Sequence, residues 1–116
     1  MSTAPAASPM SDADYQRETA AVLSRIEAAA DHWLQQDVID IDTQRSGGLL
    51  ELSFPNGSKI IVNTQPPLQE LWLAARAGGF HYRWIDGCWR DTRDGSELIE
   101  LLSRHASAQA DKPLQF

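Results

Sequence analysis

The most constraining feature of this chain is a series of short β-type segments, separated by turn residues, between residues 56 and 82. Asn56-Gly57, a strong hairpin signal, precedes the β-branched segment 59–63. A Pro-Pro break then leads to a second apolar segment that carries Trp72, and Gly78-Gly79 leads to a third. This order of strands and turns predicts an antiparallel meander.

Alternation within the meander divides its side chains between the two faces of a sheet. With a period of two residues, one face receives the apolar residues Ile60, Val62, Leu71 and Leu73. The other face receives Asn63, Gln65, Glu70 and Trp72. A Trp side chain among polar residues favours a partner contact, because tryptophan is enriched at interface hot spots. The simpler interpretation, an aromatic ring that only shields the sheet, ranks below it.

A helix and two strands are predicted upstream of the meander. Ser11 is a suitable N-cap, and apolar positions then recur at helical spacing: Tyr15, Thr19, Val22, Leu23, Ile26, Ala30 and Trp33. In segment 38–42 the pattern alternates, so that two isoleucines share one face and Asp40 and Asp42 share the other. A second alternating strand is predicted over residues 49–54.

The downstream part completes the fold. Segment 80–84 predicts a strand with three aromatic side chains on one face, and Trp89 marks a short last strand. Residues 94–96 then begin a last helix, in which the apolar residues form one stripe. The order predicts an α+β two-layer sandwich, in which two terminal helices pack on one face of an antiparallel sheet of about six strands. We expect one domain over residues 11–110, a disordered extension at 1–10 and a C-terminal tail at 111–116.

The charge of the chain is concentrated at one end. Residues 1–42 contain eight acids and two bases, for a net charge of −6, whereas the remainder contains eight of each. Such a concentration of negative charge disfavours binding to nucleic acid or anionic membranes, and it favours binding to cations or to a basic protein surface. The start of the chain lacks the features of a secretion signal, and no apolar run approaches a membrane span, so we expect a cytoplasmic protein.

Two acids of the first helix are the leading metal-binding candidates. Glu27 and Asp31 share one helix flank, on which no base accompanies them, and Asp40 and Asp42 follow on the next strand. Carboxylates are hard donors that suit iron, manganese, calcium and magnesium ions. Because a helix and a strand cannot wrap a cation, we expect modest affinity and poor selectivity. No nucleophile triad or phosphate loop indicates an enzyme, and ferroxidase chemistry is the only catalytic variant worth testing.

Over residues 11–109 the chain resembles the frataxin family, and most closely its bacterial members. The most specific matches are segment 56–63 (NGSKIIVN), Gln65, Pro67-Leu68, Trp72-Leu73 and Gly78-Gly79. The resemblance implies an accessory protein of iron–sulfur cluster assembly that binds iron (Fe²⁺ and Fe³⁺) weakly and exchangeably. It also implies that this protein regulates a complex of the cysteine desulfurase with the iron–sulfur scaffold protein. We expect a monomer.

The resemblance also assigns residues. The implied metal-binding set, called the acidic ridge below, comprises Glu27, Asp31, Asp37, Asp40 and Asp42. The implied partner-binding residues are Asn63, Gln65 and Trp72 on the sheet, with Glu27 and Asp31 as a docking site for the desulfurase. Many relatives carry more acids here, where this chain has Ala28, His32 and Gln44. The alternative function is therefore a pure protein-interaction module whose acids dock a basic partner without physiological metal binding.

Overall fold

The computed structural model describes residues 10–116, so most of the predicted extension at 1–10 lies outside the described residues. The helices are α1 (Asp12–Gln35) and α2 (Leu98–Ala110). The strands are β1 (Asp42–Ser46), β2 (Leu49–Ser53), β3 (Lys59–Gln65), β4 (Glu70–Ala75), β5 (Gly78–Ile85) and β6 (Cys88–Asp91), and a 3-10 turn (Pro66–Leu68) joins β3 to β4. Within residues 10–116, no helix is long and apolar enough to cross a membrane.

The six strands form one sheet in the order β1 to β6, and each strand is antiparallel to the next. The two helices cover one face and leave the other open, so the predicted two-layer sandwich is confirmed. The meander is confirmed as well. Its register places Asn63 directly opposite Trp72, and Trp72 directly opposite His81.

The core lies between the helices and the covered face of the sheet. Every member of the predicted α1 stripe is buried, and the strands contribute the predicted residues Ile60, Val62, Leu71 and Leu73, each at most 1% exposed. Burial of such side chains is the main stabilising term of the fold, at roughly 1.5–3 kcal/mol each. Periodicity alone is sufficient to place these residues, because a core-facing position repeats every 3.6 residues in a helix and every two in a strand.

The predicted first strand over residues 38–42 is wrong in its bounds, because β1 begins only at Asp42. Helix α1 ends in a Schellman motif, in which the N–H of Val38 donates to the carbonyl of Trp33 and Asp37 adopts φ 58°. The chain then runs to the sheet outside the strand ladder. Burial still alternates there, with Ile41 buried and Asp40 exposed, which explains why the pattern imitates a strand.

The C-terminal segment packs against the helical layer. Leu114 and Phe116 are buried, and the ring of Phe116 meets that of Trp33 edge to face at 4.8 Å. The hydroxyl of Ser103 accepts a hydrogen bond from the N–H of Phe116 at 3.0 Å. The segment predicted as a tail at 111–116 therefore contributes to the core.

Candidate functional site

The acidic ridge follows the chain from the last turns of α1 to the start of β1. Glu27 and Asp31 lie on α1, Asp37 and Asp40 in the connection, and Asp42 at the first position of β1. All are exposed except Glu27, which is partly buried. Among residues 10–116, no three His, Cys, Asp or Glu side chains come close enough together to hold a metal ion. A cation on the ridge would therefore be held by few carboxylates and would keep much of its water.

One part of the ridge is neutralised by a base from elsewhere in the chain. The expectation that Glu27 lacks a base is wrong, because Nη1 of Arg45 lies 2.7 Å from its Oε1. The same Nη1 donates to the hydroxyl of Ser24 at 3.1 Å. Arg45 lies on β1 beside α1, and a helix wheel cannot reveal this pairing, since the two residues are 18 positions apart.

The rest of the ridge is less compensated. Asp31, Asp37, Asp40 and Asp42 form no ion pair with any residue between 10 and 116. Near Asp37, Nζ of Lys112 donates to the carbonyl of Val38 at 2.7 Å, which brings one positive charge to this edge. The ridge thus remains a negatively charged surface, although it is weaker than a count of its acids suggests.

The second acidic pair of α1 lies outside the ridge. Arg17 lies 2.7 Å from Asp14 and 3.5 Å from Glu18. The hydrogen bond from Arg17 lowers the pKa of Asp14 below its usual value. These two acids therefore share a base, whereas Asp12 and Asp31 are the acids of α1 that form no ion pair with any residue between 10 and 116.

Asn63, Gln65 and Trp72 meet on the open face of the sheet, as predicted. We call these three residues the sheet contact surface. All three are half-buried, on the adjacent strands β3 and β4. The indole of Trp72 lies nearly parallel to the ring of His81, with 4.2 Å between the ring centroids and 6° between their planes. The surface around the indole is a shallow depression of about 220 Å³ rather than a closed pocket.

Glu70 lies next to Trp72 and is the member of this face that sequence reasoning did not assign to the site. Its side chain is only 7% exposed, and it accepts hydrogen bonds from Nε1 of Trp72 and Nε of Arg83, both at 2.8 Å. The alternation of β4 already places Glu70 and Trp72 on one face. Its role depends on the strand register, which sets Glu70 directly opposite Arg83.

Comparisons with known proteins agree with this fold. A family model described as a frataxin-like domain matches residues 8–112. Among curated proteins, the iron–sulfur cluster assembly proteins CyaY of Burkholderia mallei (strain SAVP1) and Burkholderia pseudomallei (strain K96243) are each 52% identical to the chain over 107 residues. These alignments cover 92% of this chain and 98% of each relative.

Two solved structures extend the comparison. Frataxin from Psychromonas ingrahamii superposes with a TM-score of 0.74 at 30% identity, over 91% of this chain and 97% of that one. A trimeric frataxin from the yeast Saccharomyces cerevisiae, complexed with ferrous iron, superposes with a TM-score of 0.60 at 25% identity, over 94% of each chain. Both of these structures therefore share the sheet and helix arrangement described above.

Proposed function

The chain belongs to the frataxin-like domain family, and we propose that it serves iron–sulfur cluster assembly as an accessory protein that binds iron weakly. Its relatives at 52% identity are iron–sulfur cluster assembly proteins, which supports the process as a whole. The finer role that we propose is regulation, according to iron, of the complex between the cysteine desulfurase and the scaffold protein. We further propose that the protein is cytoplasmic and non-catalytic.

The observation that carries this proposal is the acidic ridge. Asp31, Asp40 and Asp42 are exposed acids without ion pairs among residues 10–116, and they lie along one continuous stretch from helix to sheet. Their oxygens are hard donors that suit Fe²⁺ and Fe³⁺. Because no three acidic, His or Cys side chains converge within the described residues, the bound iron would be exchangeable. The ferrous iron in the yeast neighbour supports iron as the cation.

The first experiment measures thermal stability with and without a divalent cation in low salt. Repulsion among the ridge carboxylates costs stability, so added Fe²⁺ or Mn²⁺ should raise the melting temperature of the wild-type protein. A variant with Asp31→Asn, Asp40→Asn and Asp42→Asn should lose most of this increase. The matched control is Glu100→Gln, which changes an exposed acid of α2 outside the ridge and should respond like the wild type.

The alternative function is a docking module whose acids bind a basic partner without physiological iron. The ion pair of Glu27 with Arg45 favours this alternative, because it shows that the ridge already accepts a guanidinium group. The two functions differ in an assay of desulfurase activity, measured with and without this protein at several iron concentrations. A change in desulfurase activity that depends on the iron concentration supports the regulatory function. Binding to the desulfurase that is sensitive to salt but independent of iron supports the docking module.

The sheet contact surface is the second site that we propose, in addition to the acidic ridge. A half-buried indole on a flat, helix-free face is suited to contact a partner protein, since Trp side chains dominate many interface energies. We propose that Asn63, Gln65 and Trp72 contact the scaffold protein. Trp72→Ala should then weaken binding to the purified scaffold protein at least tenfold, and undiminished binding would remove the sheet from the proposed site.

The oligomeric state is the last part of the proposal. We propose a monomer in the absence of iron, although the yeast neighbour with ferrous iron is a trimer. Light scattering of the purified protein, with and without ferrous iron under anaerobic conditions, measures the mass directly. A stable trimer without iron would contradict the proposed monomer.

A further inference from the structure

The open face of the sheet contains one buried acid, Glu70. Its residue exposure is 5%, whereas its neighbours Trp72, His81 and Arg83 are half-buried or exposed. An ionised carboxylate is costly to bury unless it is paired and hydrogen-bonded. Glu70 meets both conditions, because Oε2 accepts from the Arg83 guanidinium and Oε1 accepts from the Trp72 indole.

The four side chains form a block of two cross-strand pairs. Glu70 lies directly opposite Arg83, and two residues further along the strands Trp72 lies directly opposite His81. Within this block Nδ1 of His81 is 3.9 Å from Oε1 of Glu70. Every member therefore contacts Glu70, and the carboxylate is the centre of the block.

Two contacts fix the orientation of the indole. The hydrogen bond from Nε1 to Glu70 sets the direction of the ring edge, and the parallel stack on His81 sets the plane of the ring. A ring restrained in both ways loses little rotational freedom when a partner covers it. Ordering a free side chain at an interface is unfavourable, so this arrangement favours binding.

We propose that Glu70 is a positioning residue, which acts on partner binding by holding the Trp72 indole in its binding orientation. The proposal rests on the proposed contact between the sheet and the scaffold protein. Arg83 neutralises the buried carboxylate and leaves half of its own side chain exposed. Glu70 itself is covered, so it acts through Trp72 rather than through direct contact with the partner.

The test uses the full-length protein with Glu70→Ala and Glu70→Gln, each also combined with Trp72→Phe. Phenylalanine keeps an aromatic ring at position 72 but removes the N–H that Glu70 accepts. The first readout is the Nε1–H signal of Trp72 in a ¹⁵N spectrum, which is identified by its loss in Trp72→Phe. The second is binding to the purified iron–sulfur scaffold protein, and backbone amide signals of the core residues Ile26 and Leu102, which lie on the helices away from the substituted positions, report whether the fold is kept.

In Glu70→Ala, we expect the indole N–H signal to shift and its hydrogen exchange to accelerate, while the core signals keep their positions. Binding should weaken about two- to tenfold, the range that corresponds to ordering one side chain. Glu70→Gln keeps one acceptor oxygen, so it should restore part of the exchange protection and part of the affinity. In the Trp72→Phe background, Glu70→Ala should change affinity less than twofold.

Two results would overturn the positioning role while the proposed contact stands. One is an indole signal and exchange rate that do not change in Glu70→Ala. The other is a loss of affinity that is equally large with Phe at position 72, which would show that Glu70 acts only through the general stability of the sheet. If the wild-type protein does not bind the scaffold protein, the proposed contact itself fails, and the role of Glu70 in it fails as well.

Discussion

Tyr15 is the most informative residue for a stability test, because its buried hydroxyl joins α1 to the strands that carry the sheet contact surface. The residue is 2% exposed. Its hydroxyl donates to the carbonyl of Glu70 at 2.6 Å and accepts from the N–H of Gln65 at 3.0 Å. Tyr15→Phe removes the hydroxyl and keeps the ring, so it isolates the effect of these two hydrogen bonds.

The expected loss follows from the two backbone groups that Tyr15 bridges. Depriving a buried polar group of its partner costs about 1–3 kcal/mol. Part of this cost can be recovered if the N–H of Gln65 moves close enough to donate directly to the carbonyl of Glu70 on the neighbouring strand. We expect the free energy of unfolding to fall by about 1–3 kcal/mol. For a domain of this size, that loss corresponds to a melting temperature lower by about 4–12 °C.

Tyr82 provides the matched control. It is fully buried like Tyr15, but its hydroxyl has no hydrogen-bond partner among residues 10–116. Burial, together with the nearby charge of Asp91, raises the pKa of Tyr82, so the phenol stays neutral at ordinary pH. Tyr82→Phe removes a buried group that is already unsatisfied, and we expect the free energy of unfolding to stay constant or to rise by up to about 1 kcal/mol.

Urea unfolding followed by far-ultraviolet circular dichroism measures both variants. The slope of free energy against urea should match the wild type in each, which would show that the same surface is exposed on unfolding. The reasoning would be refuted if Tyr15→Phe lay within about 0.5 kcal/mol of the wild type. A loss of equal size in Tyr82→Phe would also refute it, because the hydrogen bonds would then not explain the difference.

Three further predictions concern the ridge, the C-terminal segment and pH. Arg45→Gln removes the ion pair of Glu27, so the affinity of the ridge for Mn²⁺ at low salt should rise about two- to fivefold. NMR titration measures this affinity, and an unchanged value would mean that Arg45 does not compete with cations. Phe116→Ala should lower the free energy of unfolding in urea by about 2–4 kcal/mol, since the ring is buried; a negligible change would show that the segment does not pack in solution. Burial and the charge of Arg104 lower the pKa of His105 in the folded state, so the unfolded state takes up the proton first as the pH falls below about 6.5. Stability should therefore decrease between pH 7 and pH 5.5, and His105→Gln should reduce this decrease; identical pH profiles would contradict the assignment.

The fold was largely predictable because its signals are local. The stripe of α1 and the alternation of β3 and β4 each repeat within a few residues, and burial follows these repeats. Element bounds were less predictable. Segment 38–41 alternates like a strand, yet the Schellman motif after Trp33 keeps it outside the ladder. The packing of the C-terminal segment was not predicted, because a short apolar pattern at the end of a chain does not show which residues it will pack against.

The candidate site was only partly predictable. Four acids of the ridge and the open-face position of Trp72 follow from the charge pattern and from the period of a strand, whereas Asp37 was assigned only by the resemblance to the frataxin family. The pairing of Glu27 with Arg45 requires the position of β1 beside α1, which no local pattern contains. Likewise, Glu70 and Arg83 are 13 residues apart and meet only through the register of β4 with β5.

The sequence by itself thus determined the layers of the protein, the direction in which most side chains point and the end of the chain that carries the negative charge. Only the tertiary structure decided which of those charges are neutralised and how the Trp72 indole is held. The physical reason is the separation along the chain of the residues that each interaction joins. Hydrophobic periodicity acts over neighbouring residues, whereas an ion pair or a hydrogen bond depends on distances of a few ångströms between elements that are remote in the chain.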